Sequence, residues 1–201
     1  MSVALGSVEL SIINLSFSDE DQAAYIHKAA QVINDLNCLT LVNHTDESDY
    51  IQMSGASTGC SSSVGRRGGR QTISLAPNSI EVGCFRLYTI VHEFLHAFGF
   101  HHMQSSHDRD EYVQIVWENI QAGTENNFAL YGTNSISHFG VPYDYRSVMH
   151  YSSLAFSING QRTIVPLQDL GGLTIGQRQY LSSRDILRIR RMYDCAVPLD
   201  G

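Results

Sequence analysis

The eleven residues His92-Glu93-Phe94-Leu95-His96-Ala97-Phe98-Gly99-Phe100-His101-His102 constrain this chain more than any other stretch. On a helix, His92 and His96 advance about one turn and share a face, about 6 Å apart along the axis. Two imidazoles placed that way can bind one zinc ion, and Glu93 between them can reach a water on the metal. His102 stands beyond the helix turn that His96 ends, and a continuing helix would carry it to another side. Gly99 is the residue for the necessary reversal, because glycine ends helices in a left-handed conformation at little steric cost. The pattern implies three neutral nitrogen ligands (His92, His96 and His102), an open fourth position for water, and a carboxylate base. It is the pattern of a hydrolytic site with one Zn2+ per chain.

Glu93 also separates two classes of function. A secreted zinc-binding interaction domain without catalysis would have no use for a base between the ligands, whereas a hydrolase needs one. The carboxylate is present, so hydrolysis is the reading carried forward, with the inactive binding domain as the alternative.

Composition bounds the remaining possibilities. A chain of 201 residues with 43% hydrophobic content suits one domain with a sizeable core. Its formal net charge is −7 and Lys28 is its only lysine, which argues against a nucleic-acid partner. Arg184, Arg188 and Arg191 share one helical face near the C-terminus and read as a solvated face. No apolar run reaches membrane-spanning length. The first twenty residues lack the charged start and apolar core of a signal peptide, so the chain reads as a mature domain. Cys38, Cys60, Cys84 and Cys195 show no C-x-x-C spacing. An even number of widely spaced cysteines fits two disulfides and an oxidising compartment, with three pairings open. Asn14 and Asn43 begin glycosylation sequons.

Read in order, Val8 to Phe17 is β-rich and apolar, a first strand. Ser18-Asp19-Glu20-Asp21 looks like a capping box. Ile26, Ala29, Ala30, Ile33 and Leu36 then recur at helical spacing, in a helix closing near Asn37, with His27 on its surface. Cys38–Val42, Tyr50–Met53 and Gln71–Ala76 read as strands, around a Gly- and Ser-rich segment at 55–69. The histidine helix starts near Arg86 or Leu87. Arg109 between Asp108 and Asp110 forms an ion network or a polar turn, Trp117 packs rather than binds, and 121–140 is loop with a short helix. Ser147-Val148-Met149-His150-Tyr151 is a compact turn. Ser182-Ser183-Arg184-Asp185 is a second capping box, opening a last helix with Ile186, Ile189 and Tyr193 on one face.

Taken together, these residues resemble the astacin family of secreted metzincin zinc endopeptidases. The likeness is carried by His92–His102, Asp108-Arg109-Asp110, the turn Ser147–Tyr151, Thr163–Leu167, and Leu181-Ser182 with Asp185-Ile186 and Tyr193. It covers nearly the whole chain from about Phe17. Matrixin-like enzymes differ after the third histidine and in the methionine turn. Serralysin-like enzymes share the tyrosine of the turn but lack these cysteines and carry calcium repeats absent here.

The resemblance implies an α+β fold, a single peptidase domain over 1–201 with halves of about 1–99 and 100–201. The N-terminal half would hold a twisted mixed sheet and two long helices. The C-terminal half would be loop-rich with a terminal helix, and the zinc cleft would lie between the halves. It implies a secreted or extracellular zinc-dependent endopeptidase, with Glu93 as base toward a zinc-bound water. Met149 becomes the floor under the metal and Tyr151 a displaceable further ligand that stabilises the oxyanion, while His150 and His101 are not ligands. Cys60 pairs with Cys84, and Cys38 with Cys195. The partner is a protein or peptide held extended in the cleft, against an edge strand near Cys60–Ser63; no nucleic acid or membrane span is implied, and the chain is expected to be a monomer. Two positions depart from the family pattern. Met103 replaces a glutamate that anchors the mature N-terminus, and Ser106 replaces an arginine. Ile12-Ile13-Asn14 stands where the family has a different run; because Met103 offers no carboxylate to anchor the amine, lengthening the N-terminus is expected to change activity little.

Overall fold

The computed structural model describes residues 8–15 and 19–195. The end of the expected first strand, Phe17, and the expected cap Ser18 lie outside the described residues. The chain divides into two compact units, one running to Phe100 and resuming at Ile186, the other spanning His101–Asp185.

The first unit is built on five strands and on helices packed against them. β1 (Val8–Leu15) pairs in parallel with β2 (Leu39–Val42) and with β3 (Tyr50–Ser54). β3 pairs in parallel with β5 (Arg70–Leu75), and the short β4 (Cys60–Ser62) runs antiparallel to β5. The strand order β2-β1-β3-β5-β4 leaves β4 at an edge, and the sheet is mixed as expected. A parallel β1–β2 pair needs a crossover, and α1 (Glu20–Asn34) supplies it. Its cap is Asp19, whose carboxylate accepts from the backbone N–H of Asp21 and Gln22, with Glu20 and Asp21 in the first turn. Ile26, Ala29, Ala30 and Ile33 form its buried stripe, as the spacing predicts. Each large aliphatic side chain so buried contributes about 1.5–3 kcal/mol.

α2 (Leu87–Ala97) follows a turn at Gly83–Phe85 and is buried at every position from Ile90 to Ala97. Both disulfides belong to this unit, Cys60–Cys84 and Cys38–Cys195, each with Cα atoms 5.5 Å apart. The first ties edge strand β4 to the turn that opens α2.

In the second unit regular structure is sparse. β6 (Val113–Ile115) and β7 (Ile164–Pro166) form a two-stranded antiparallel ladder, and short 3-10 turns do much of the rest. Its core collects Met103, Val113, Ile115, Ile120, Phe128, Tyr143, Ile164 and Ile175. Trp117 is 49% exposed and meets Phe128 only edge-on, so it packs less than its size suggested.

α3 (Ser183–Met192) contains the division between the units. The second capping box forms as read. The Ser182 N–H donates to Asp185 Oδ2 at 3.1 Å, and the Asp185 N–H donates to Ser182 Oγ at 2.9 Å. The solvated arginine face holds for Arg184 and Arg191, which are exposed, and fails at Arg188, which is only 6% exposed. Arg184 Nη1 also donates to the Tyr143 carbonyl at 2.6 Å. A long arginine stem can bury its methylenes while its guanidinium finds backbone acceptors, which a count of charges along a helix does not reveal. Among the described residues, no helix is long and apolar enough to cross a membrane.

Candidate metal centre and its surroundings

The ending of α2 prepares the histidines. Gly99 sits at φ 99°, its N–H donates to the His96 carbonyl at 2.8 Å, and the Phe100 N–H donates to the Leu95 carbonyl at 2.9 Å. These paired bonds close a Schellman motif, which asks for a residue without a β-carbon at the left-handed position. A β-carbon on Gly99 would also come within 2.9 Å of the Met192 side chain. Tyr193, likewise in the first unit, donates its hydroxyl to the Phe98 carbonyl at 2.7 Å, and burial pushes its phenol up to about 12.

This turn also orients His96. The Phe100 carbonyl lies 2.7 Å from His96 Nδ1, so Nδ1 carries the proton and Nε2 keeps its lone pair. His92 and His96 set their rings edge to face, with centroids 4.6 Å apart. One nitrogen each from His92, His96 and His102 lie within 4.8 Å of one another. The set fits zinc: the donors are three imidazoles, at least one of them fixed in its metal-binding tautomer by a backbone carbonyl. Glu93 is 5% exposed on the same helix, so its carboxylate is held in a low-dielectric setting. His101 turns elsewhere and lies 4.7 Å from the Tyr131 ring.

Within the second unit, the His102 ring lies 4.2 Å from that of Tyr151, centroid to centroid. The turn that carries Met149 and Tyr151 is held by buried polar groups. The Met103 N–H donates to the Met149 carbonyl at 3.0 Å, and the Tyr151 N–H donates to Gln104 Oε1 at 3.1 Å. Asp185 accepts from Ser147 Oγ at 2.6 Å and from the Val148 N–H at 2.9 Å. Burial pushes its carboxyl up, against the hydrogen bonds from Ser147, Val148 and Ser182 that hold it down. His150 is fully buried and spends both ring nitrogens, Nδ1 on the Tyr151 carbonyl and Nε2 on the Tyr143 hydroxyl, each at 2.7 Å. Burial is the main cause that lowers its pKa to about 4, so it is a neutral strut. Gly176 passes so close that a β-carbon there would come within 2.3 Å of Ser152 backbone atoms.

Arg109 is buried and ties this region together. Its Nε donates to Asp110 at 2.8 Å, and Nη1 donates to the carbonyls of Gln104 at 3.0 Å and Phe128 at 2.6 Å. The expected network therefore includes Asp110, while Asp108 turns to Ser106 and His138. The supporting residues Gln104, Tyr143 and Gly176 carry no sequence signal of their own. Asp185 had one, as the acid of a capping box.

A mixed-sheet fold with two histidines on an H-E-x-x-H helix and a third histidine beyond its end defines the zinc-metalloprotease class. Comparisons narrow the class. The model of the peptidase family described as Astacin matches residues 11–194, so this chain belongs to the astacin family. Zinc metalloproteinase nas-13 of Caenorhabditis elegans is 43% identical over 172 residues, covering 84% of this chain and 36% of the relative. The human meprin A subunit beta is 43% identical over 164 residues, covering 81% of this chain and 22% of that protein. The chain thus spans well under half the length of these curated relatives. High choriolytic enzyme 1, a hatching enzyme zinc-protease of the medaka fish Oryzias latipes, superposes with a TM-score of 0.87 at 37% identity, covering 98% of this chain and 94% of that one. Myroilysin superposes at 0.67 with 18% identity, a likeness of fold alone.

Proposed function

We propose that this chain is one catalytic domain, the zinc-dependent endopeptidase domain of a secreted protein, and that it hydrolyses peptide bonds in protein substrates. The observation that carries the reading is the convergence of His92 and His96, on the helix that also presents Glu93, with His102 beyond its end. Zinc, when bound, supplies Lewis acidity and brings the pKa of a coordinated water toward about 7. His92, His96 and His102 hold the ion, with His96 steered by the Phe100 carbonyl. Glu93 takes the proton of the attacking water and returns it to the leaving amine. The Tyr151 phenol donates a hydrogen bond to the carbonyl oxygen as charge builds on it. Gly99 shapes the exit from α2, and Met149 underlies the site. An extended substrate pairs with the outer side of edge strand β4, which has no neighbouring strand on that side among the described residues. Secretion is supported by the two disulfides, which persist in oxidising compartments.

Hydrolysis of casein by the purified chain tests the reading. Activity should be abolished by phenanthroline and restored by added zinc. Zinc binding without any hydrolysis would leave the inactive binding domain as the correct class.

A further inference from the structure

His107, Asp108 and His138 form a second cluster in the same unit as His102. One donor atom from each lies within 4.8 Å of the others. The His107 and His138 rings stack with centroids 4.1 Å apart and planes 10° from parallel, so their edges can face the same way.

The hydrogen bonds around His138 are those of a ligand, not of a simple ion pair. His138 Nε2 lies 2.6 Å from Ser106 Oγ, and Ser106 Oγ donates to Asp108 Oδ1. A serine hydroxyl has one proton. Since that proton goes to Asp108, Ser106 must accept from Nε2–H, which leaves the lone pair of a neutral ring on Nδ1. Nδ1 faces Asp108 Oδ2 at 3.4 Å, too long for a good N–H···O bond. Two ligands about 2.0–2.1 Å from one tetrahedral ion stand about 3.4 Å apart, which matches that edge. Ser106 then does what a supporting group does in a metal site, fixing the tautomer of one ligand and orienting the carboxylate of another. The same three residues could suggest a serine nucleophile, but Ser106 is 1% exposed and cannot meet a substrate.

We propose that Asp108 Oδ2, His138 Nδ1 and a nitrogen of His107 bind a second divalent transition-metal ion, of the zinc or copper class, with solvent completing the shell. Two imidazoles and a carboxylate suit such ions better than calcium or magnesium. The ion would clamp the segment just past His102 to the turn-rich stretch 132–140. The site is separate from the three-histidine centre and none of its ligands takes part in hydrolysis.

Equilibrium dialysis against zinc alone, followed by elemental analysis, tests the proposal. The unaltered chain should hold about two equivalents, and His107→Ala and His138→Gln should each lose about one while still hydrolysing casein. Copper titration of the unaltered chain gives a second readout. Its electron paramagnetic resonance spectrum should show a component with two equatorial nitrogens, absent in His107→Ala. A single equivalent in the unaltered chain, or a second that survives both substitutions, would overturn the proposal. Loss of activity on phenanthroline treatment reports on the three-histidine centre and leaves this outcome independent.

Discussion

Between the unit running to Phe100 and the unit His101–Asp185, the means of holding a backbone in place changes. The first satisfies its peptide groups in a five-stranded sheet and two long helices, and adds both disulfides. The second has one two-stranded ladder and relies on buried polar side chains: Arg109, Gln104, His150 and Asp185 each bond to backbone groups of turns. Backbone ladders spread stability over many equivalent bonds. Buried side-chain struts concentrate it, because removing one partner strands a desolvated group. The Met149–Tyr151 turn therefore owes its position to a few irreplaceable residues.

The largest stability loss should come from the bridge that joins distant points of the first unit. Replacing Cys38 and Cys195 with alanine frees a link across 157 residues, worth about 5 kcal/mol by loop entropy. Urea unfolding measures it, and an unchanged midpoint would show that the sheet needs no such constraint. The second unit should match this nearly with one residue. Arg109→Met leaves the Gln104 and Phe128 carbonyls without their donor and should cost about 2–4 kcal/mol. A loss under about 1 kcal/mol would break the contrast, since surface ion pairs have that size.

Tyr151→Phe probes what the struts are for. It should lower kcat and kcat/KM together by about ten- to a thousandfold, with metal content unchanged. Equal activity on a peptide substrate would reduce Tyr151 to packing beside His102 and Phe128.

The smallest effect should come from Tyr143→Phe, which removes the donor to His150 Nε2 and should cost about 1–2 kcal/mol. His150 also sets a pH dependence. Its folded pKa, about 4, lies below the ordinary 6.5, so the unfolded chain binds the proton more readily. The stability this gives is complete above about pH 6.5 and is lost as pH falls toward 4. Burial of Asp185, which raises its carboxyl, acts in the opposite sense over the acid range. Thermal unfolding between pH 7 and 4 follows the balance.

Legibility in the sequence follows the same contrast. The buried stripe of α1, the bounds of α2 and the Ser182-x-x-Asp185 box are local patterns, and periodicity or capping chemistry exposes them. Gly99 was legible because a third ligand after α2 demands a reversal. What the Asp185 carboxylate does for Ser147 and Val148 was not legible, since it depends on residues 38 and 37 positions away. Arg188 misled for a related reason, because helical spacing places a charge on a face without telling what covers that face. The pairing of His138 with Asp108 is likewise a product of the fold alone.

The central claim is that Glu93 moves the proton while His92, His96 and His102 hold the ion. Glu93→Ala separates the two directly. Metal content should equal that of the unaltered chain, and kcat on a peptide substrate should fall by about 10²–10⁴, the usual contribution of a general base. A variant with unchanged metal content and a near-normal rate would contradict the account.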